Sequence, residues 1–192
     1  AINKIGDLYY YGKGVEQNYL KAKEYYEIAA KLNNSIAINK IGDLYYYGKG
    51  VEQNYLKAKE YYEIAAKLNN SIAINKIGDL YYYGKGVEQN YSKAKEYYEL
   101  AIQNHYYISC VNLGNIFCCG KEVKQSFPKA IECYKLSIKH NIFVAYSHLG
   151  YIYRYGFGVP IDYLRAKECY ELALQHGHFF SSFHLGELYY NG

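Results

Sequence analysis

The chain carries six histidines, five cysteines and three aspartates at identical spacing, and these are the side chains from which chemistry could be built. His176 and His178 flank Gly177 and could pinch a metal ion, and His148 and His184 stand thirty-six residues apart. Adjacent helices pack about 8–10 Å apart, too far for two imidazoles to share a zinc ion that needs about four close ligands. No metal and no cofactor is therefore expected, and the remaining histidines, His105 and His140, read as turn polarity. Cys110, Cys118, Cys119, Cys133 and Cys169 contain no C-x-x-C pair and no recurring partner. An odd number without a framework reads as reduced thiols serving as small apolar fillers, which favours a reducing compartment such as the cytoplasm. Asp7, Asp43 and Asp79 recur at one place, as solvent-facing scaffold residues do, whereas an active site needs one special place. There is no G-x-S-x-G, no P-loop and no H-E-x-x-H. Gly12-Lys13-Gly14 closes one helix several residues before the next, so it is no phosphate cradle. Catalytic residues are absent from this reading, and the chain is not expected to be an enzyme. N-x-S sequons at Asn33, Asn69 and Asn90 would matter only in a secretory lumen.

The elements that must position these residues come from repetition. Residues 37–72 copy residues 1–36 letter for letter, 73–108 keeps the first nineteen letters, 109–144 and 145–180 keep the skeleton, and 181–192 opens a sixth copy. A fixed period of this size signals a solenoid, because each repeat alone cannot bury its apolar face and stacked repeats can. The 192 residues are thus expected to form a single repeat domain. Composition agrees: 51% hydrophobic and 21% charged residues point neither to disorder nor to a membrane protein. The net charge of +4 is spread along the repeats without a basic cluster, which argues against nucleic acid. With no methionine, the chain reads as a piece of something longer, so its targeting is not legible. Tyrosine is the outlier at 29 residues, a side chain that can bury its ring while its tip stays polar.

Within one repeat, Ala1, Ile5, Leu8 and Tyr9 fall on one stripe of a first helix, ended by Gly12 to Gly14. A second helix over residues 19–32 turns Ala22, Tyr25, Tyr26, Ala29 and Ala30 inward, with Asn18 or, in the fifth repeat, Asp162 as its cap. Glu27 and Lys31 stand in the favourable i, i+4 order, and residues 33–35 make the turn to the next repeat. Gly6 sits mid-helix at a cost of about 1 kcal/mol, which close approach of the two helices would justify.

The repeats follow the pattern A-x-x-x-[IL]-G-x-x-Y-x-x-G-x-G-V, then [ND], K, A, Y-Y and A-A at fixed offsets, the later ones with substitutions. The fifth shows it best, in Ala145, Leu149, Gly150, Tyr153, Gly156, Gly158, Val159, Asp162, Arg165, Ala166, Tyr170, Ala173 and Gly177. This pattern resembles the Sel-one-like repeat (SLR) family, related to tetratricopeptide repeats. The resemblance implies an all-α, right-handed αα-hairpin superhelix of five full repeats plus the first helix of a sixth. It also implies an adaptor or scaffold in protein complexes, with no catalytic residues to carry over. Departures are local: Glu122 replaces a loop glycine, Cys133 and Cys169 replace an aromatic, and asparagine or histidine often stands for the late glycine.

In helix-pair solenoids the first helices line the concave wall, and each repeat position becomes a column. One column is Lys4, Lys40, Lys76, Asn112, His148 and His184, and a second is Asp7, Asp43, Asp79, Asn115, Tyr151 and Glu187. A third, Tyr11, Tyr47, Tyr83, Cys119 and Tyr155, is aromatic, with Tyr10, Tyr46, Tyr82 and Arg154 beside it. Tyrosine and arginine anchor interfaces more often than other residues. The expected function is a non-catalytic scaffold that binds a partner protein or peptide along this groove. The alternatives are a passive spacer between flanking domains and single-stranded RNA binding by tyrosine stacking. Uncapped apolar helix faces at either end also suggest end-to-end self-association. Specificity is expected where later repeats depart from the first, at Asn112, Asn115, Cys119, His148, Tyr151 and Arg154.

Overall fold

A computed structural model describes residues 2–190. Among the described residues it holds eleven helices and no strand: α1 (Ile2–Tyr11), α2 (Tyr19–Ala30), α3 (Ser35–Tyr47), α4 (Tyr55–Lys67), α5 (Ser71–Tyr83), α6 (Tyr91–Gln103), α7 (Ser109–Cys119), α8 (Phe127–Lys139), α9 (Ala145–Tyr155), α10 (Tyr163–Gln175) and α11 (Ser181–Tyr190). Odd-numbered helices are the first helices of the repeats and even-numbered ones the second. They sort into two compact units that part between Tyr106 and Tyr107. Within each unit every helix packs on the next in sequence, from α1 to α6 and from α7 to α11, as in an αα-hairpin solenoid.

Local chemistry fixes the helix ends. Asn18, Asn54 and Asn90 adopt extended backbone, and their side-chain oxygens accept the backbone N–H three residues on, at 2.9, 2.9 and 2.7 Å. Asp162 caps α10 in the same way at 2.9 Å. Each cap satisfies a backbone donor that the helix itself leaves unpaired. At the other end of the first helices, Gly48, Gly84, Gly120 and Gly156 turn left-handed and return their N–H to the helix. The turns between repeats use the same device without glycine: Asn33, Asn69, His105 and Asn141 all have φ between 57° and 64°. Glu122, in the place of a loop glycine, likewise holds φ 54°, so the departure from the pattern keeps the loop conformation at the cost of strain.

Two details differ from the expectation. The first helices of the second and third repeats begin at Ser35 and Ser71, two residues before the expected apolar start, because Asn34 and Asn70 cap them by accepting from Ala37 and Ala73 N–H. Glu27 pairs with Lys23 at 2.7 Å, the reverse order to the expected Lys31, and Lys59–Glu63 and Lys95–Glu99 repeat it. Exposed pairs of this kind contribute only a few tenths of a kcal/mol. Ala1, the first residue of the expected stripe, lies outside the described residues.

The core is built on one tyrosine per repeat. Tyr26, Tyr62, Tyr98, Tyr134 and Tyr170 are fully buried, and each ring lies on the mid-helix glycine of its partner helix. A Cβ added at Gly42 would sit 2.5 Å from Tyr62 Cε1, and one at Gly78 would sit 2.7 Å from Tyr98 Cε1. The glycine is therefore the seat of the ring, which justifies its propensity cost. Ala58, Ala65, Ala73, Ile77 and Leu80 close around Tyr62. In α1, by contrast, Ile5 and Leu8 are exposed where their equivalents Ile41 and Leu44 in α3 are buried beneath α2. No helix among the described residues is long and apolar enough to cross a membrane.

Candidate interaction surface

In the first unit the first helices present three of the expected columns, with different fates. The aspartates are not solvent-facing. Tyr26 Oη donates to Asp7 at 2.7 Å, Tyr62 Oη to Asp43 at 2.9 Å and Tyr98 Oη to Asp79 at 2.7 Å. Each buried ring needs an acceptor for its hydroxyl, and the carboxylate across the hairpin supplies it. Asp43, only 8% exposed, also takes an ion pair from Lys76 at 2.8 Å. Burial opposes the Lys76 ammonium, but the Asp43 charge and hydrogen bond outweigh it, and the Lys76 pKa is raised. Burial pushes Asp79 above the usual carboxylate range, against hydrogen bonds from Tyr98 and Asn75 and the charge of Lys76. These aspartates hold the hairpins together, as does Asn115 in the second unit, which accepts from Tyr134 Oη at 2.7 Å.

The aromatic column does reach solvent. Tyr11, Tyr47 and Tyr83 are 51%, 55% and 60% exposed. Each rests edge-on against the preceding tyrosine, with centroids 4.8 Å apart in the pairs Tyr10–Tyr11, Tyr46–Tyr47 and Tyr82–Tyr83. Loop lysines of the following repeat lock those inner rings: Lys49 Nζ donates to Tyr10 Oη at 3.0 Å and Lys85 Nζ to Tyr46 Oη at 2.8 Å. Lys40 Nζ donates to Tyr11 Oη at 3.1 Å, while Lys4 is exposed. The inner tyrosines thus pack on the next loop, and the outer ones stay half in water.

The second unit departs from this arrangement where the later repeats change their letters. Arg154, expected beside the exposed aromatics, is only 9% exposed and forms an ion pair with Glu187 at 2.6 Å. Its guanidinium lies 5.1 Å from the Tyr155 ring centroid and supports that ring. Asn112 is half-buried, and His184 meets Glu187 at 3.3 Å. Tyr151 and Tyr155 are exposed, 4.6 Å apart.

Beside them lies a pocket of about 410 Å³. Asn115, Cys118, Cys119, Phe127, Tyr134, His148, Tyr151 and Ile152 come from the helices, and Gln125 and Phe157 close it from the loops. Four of the six positions singled out for departing from the first repeat, Asn115, Cys119, His148 and Tyr151, meet here. Phe127, which opens α8, and Phe157, in a loop, were not foreseen, because the columns were drawn on the first helices alone. The signal was present in the loops: Lys13, Lys49, Lys85 and Lys121 are followed at the same place by Phe157. Phe157 stacks on Phe127 at 5.1 Å, where Lys49 lies over Tyr19 in the first unit at 5.4 Å. His148 stacks on Tyr134 at 5.0 Å, and burial, aided by His178, holds its pKa down at about 4.

None of the five cysteines is joined in a disulfide. Cys110 is buried as a core filler, whereas Cys119 is exposed at the pocket and fills no core. Burial pushes the Cys118 thiol up, the opposite of what a nucleophilic cysteine needs. His176 stacks on Phe143 at 3.6 Å and His178 bonds Ser181 Oγ at 2.9 Å. Among the described residues, no three of His, Cys, Asp and Glu are grouped to hold a metal ion.

The Sel1 repeat model matches residues 1–34, 35–70, 71–106, 108–141 and 144–178. Among solved structures, the chain is similar to a Sel1 repeat protein from Oxalobacter formigenes, at 28% identity and a TM-score of 0.89 over 98% of this chain and 77% of that one. It is also similar to c5321, a protective antigen of uropathogenic Escherichia coli with an SLR fold, at 27% identity and a TM-score of 0.84 over 99% of this chain and 41% of that one. A Sel1 repeat protein from Klebsiella pneumoniae shares the fold at 15% identity and a TM-score of 0.63, over 97% of this chain and 91% of that one. A search of curated protein sequences returned no match.

Proposed function

Because the chain belongs to the Sel1 repeat family, whose members are generally non-catalytic scaffolds for protein interaction, we propose that it binds a partner protein or peptide on the exposed tyrosine column of its first helices. The observation that carries this reading is that Tyr11, Tyr47 and Tyr83 stay 51–60% exposed while their rings are already held by edge contacts and, at Tyr11, by Lys40. A large amphipathic ring fixed before binding loses little freedom on contact, which is what makes tyrosine an effective anchor. Lys40, Asp43, Lys76 and Asp79 belong to the same surface and orient it through the contacts described above.

The RNA alternative gains no support. Lys40, Lys49, Lys76 and Lys85 are committed to tyrosine hydroxyls or to Asp43 and form no basic track for phosphates.

The test is a double substitution, Tyr47→Ala with Tyr83→Ala, in the full-length protein used to capture partners from its source cells. Two anchor rings worth about 1–2 kcal/mol each would be lost, so capture should fall by well over tenfold with unchanged helicity in circular dichroism. Undiminished capture would remove this surface from the account. A passive spacer would show no specific partner to lose.

A further inference from the structure

The two units carry the same ten places that line the pocket, and they fill them differently. In the first unit those places include Asp7, Tyr10, Tyr11, Lys40, Asp43 and Lys49. There the rings of Tyr10 and Tyr11 occupy the space, and Lys40 and Lys49 reach across to their hydroxyls. In the second unit the same six places hold Asn115, Cys118, Cys119, His148, Tyr151 and Phe157. Two phenol rings have become two thiols, and two aspartates and two lysines have become asparagine, tyrosine, histidine and phenylalanine. What remains is a space of about 410 Å³, within the range of about 300–1,000 Å³ typical of ligand sites.

The walls say what would fill it. They contain no formal charge, so a lysine or carboxylate would enter without a counter-ion and lose its hydration. Phe127, Phe157 and Tyr151 offer aromatic surface, to which another ring adds offset or edge contacts. The His148 imidazole has no hydrogen-bond partner among the described residues and is neutral at physiological pH, since burial holds its pKa at about 4. A neutral imidazole presents one N–H donor and one bare nitrogen, a match for a hydroxyl that both donates and accepts.

We propose that this pocket receives a tyrosine side chain of the partner segment, its ring replacing the two phenols missing from the fourth repeat and its hydroxyl meeting His148. The proposal rests on the interaction reading above and adds to it the chemistry of one anchor. The segment would have the pocket at one anchor point and the exposed Tyr151 and Tyr155 beside it.

The test uses side-chain analogues on the full chain, with binding followed by ligand-observed NMR: p-cresol for tyrosine, toluene for phenylalanine, n-butylammonium for lysine, and N-acetyl-tyrosinamide for tyrosine within a peptide. The expected order is p-cresol and N-acetyl-tyrosinamide first, toluene weaker, and n-butylammonium unbound. Cys119→Tyr restores, at an exposed position, the ring that stands at Tyr11, and it should weaken p-cresol about tenfold or more. His148→Phe should abolish the preference for p-cresol over toluene while sparing toluene. Glu60→Ala, on the exposed side of α4, should leave p-cresol binding unchanged. The proposal is overturned if n-butylammonium binds as well as p-cresol, or if Cys119→Tyr, folded by circular dichroism, binds p-cresol undiminished. It is also overturned if p-cresol enters and N-acetyl-tyrosinamide is excluded, which would make the ligand a free phenol. Because no partner is needed, this titration fails or succeeds separately from the capture experiment on Tyr47 and Tyr83.

Discussion

At the scale of single residues, the protein turns on how a buried tyrosine hydroxyl is satisfied. Tyr62 donates to Asp43 and Tyr134 to Asn115, but the place of the acceptor in the fifth repeat is Tyr151, and the buried Tyr170 hydroxyl meets no acceptor among the described residues. Burial drives the Tyr170 pKa up, with the Arg154 guanidinium pulling the other way. Two phenylalanine substitutions should therefore behave differently. Tyr62→Phe deletes a charge-assisted hydrogen bond and should destabilise by about 1.5–3 kcal/mol. Tyr170→Phe removes a hydroxyl that meets no acceptor among the described residues and should be neutral within about 0.5 kcal/mol or stabilising. Urea melts of the two variants decide this, and equal losses would mean that the aspartates contribute nothing. This clasp was illegible in the sequence. Asp7, Asp43 and Asp79 recur identically, which reads as a solvent-facing scaffold, yet an internal bond repeated in every hairpin demands the same identity. The acceptor and its donor lie nineteen residues apart on different helices, and no local pattern joins them.

At the scale of elements, the sequence was legible wherever a rule acts within a few residues. Asn18 and Asp162 cap as expected, and the glycine under the tyrosine ring explains a mid-helix glycine that propensity alone disfavours. Loop conformation was less so. Glu122 replaces a loop glycine, and the structure keeps the left-handed turn with φ 54°. A non-glycine residue there costs about 1–2 kcal/mol, so Glu122→Gly should raise the stability of the protein by about 1 kcal/mol, measured as an upward shift in melting temperature. A fall would mean that the glutamate side chain offsets its own strain. The pocket belongs to this scale too. Its helical walls were foreseen as departures at Asn115, Cys119, His148 and Tyr151, and its loop wall at Phe157 was missed because a lysine-to-phenylalanine change in a loop alters no helical column.

At the scale of the whole molecule, repetition supplies the frame and divergence supplies the site. The first unit keeps its tyrosine column standing on lysine-locked inner rings, and the second exchanges those locks for a neutral, aromatic pocket. Both arrangements suit a family of interaction scaffolds. The central claim is that the face carrying Tyr47 and Tyr83 is the one a partner touches. Its most direct test places the photo-crosslinking residue benzoylphenylalanine at Tyr47, and separately at Glu60 on the exposed side of α4, in the full-length protein within its own cells. The account predicts discrete adducts to another protein from position 47, lost on adding Tyr83→Ala, and none from position 60. Adducts from position 60 alone, or equally from both, would contradict it.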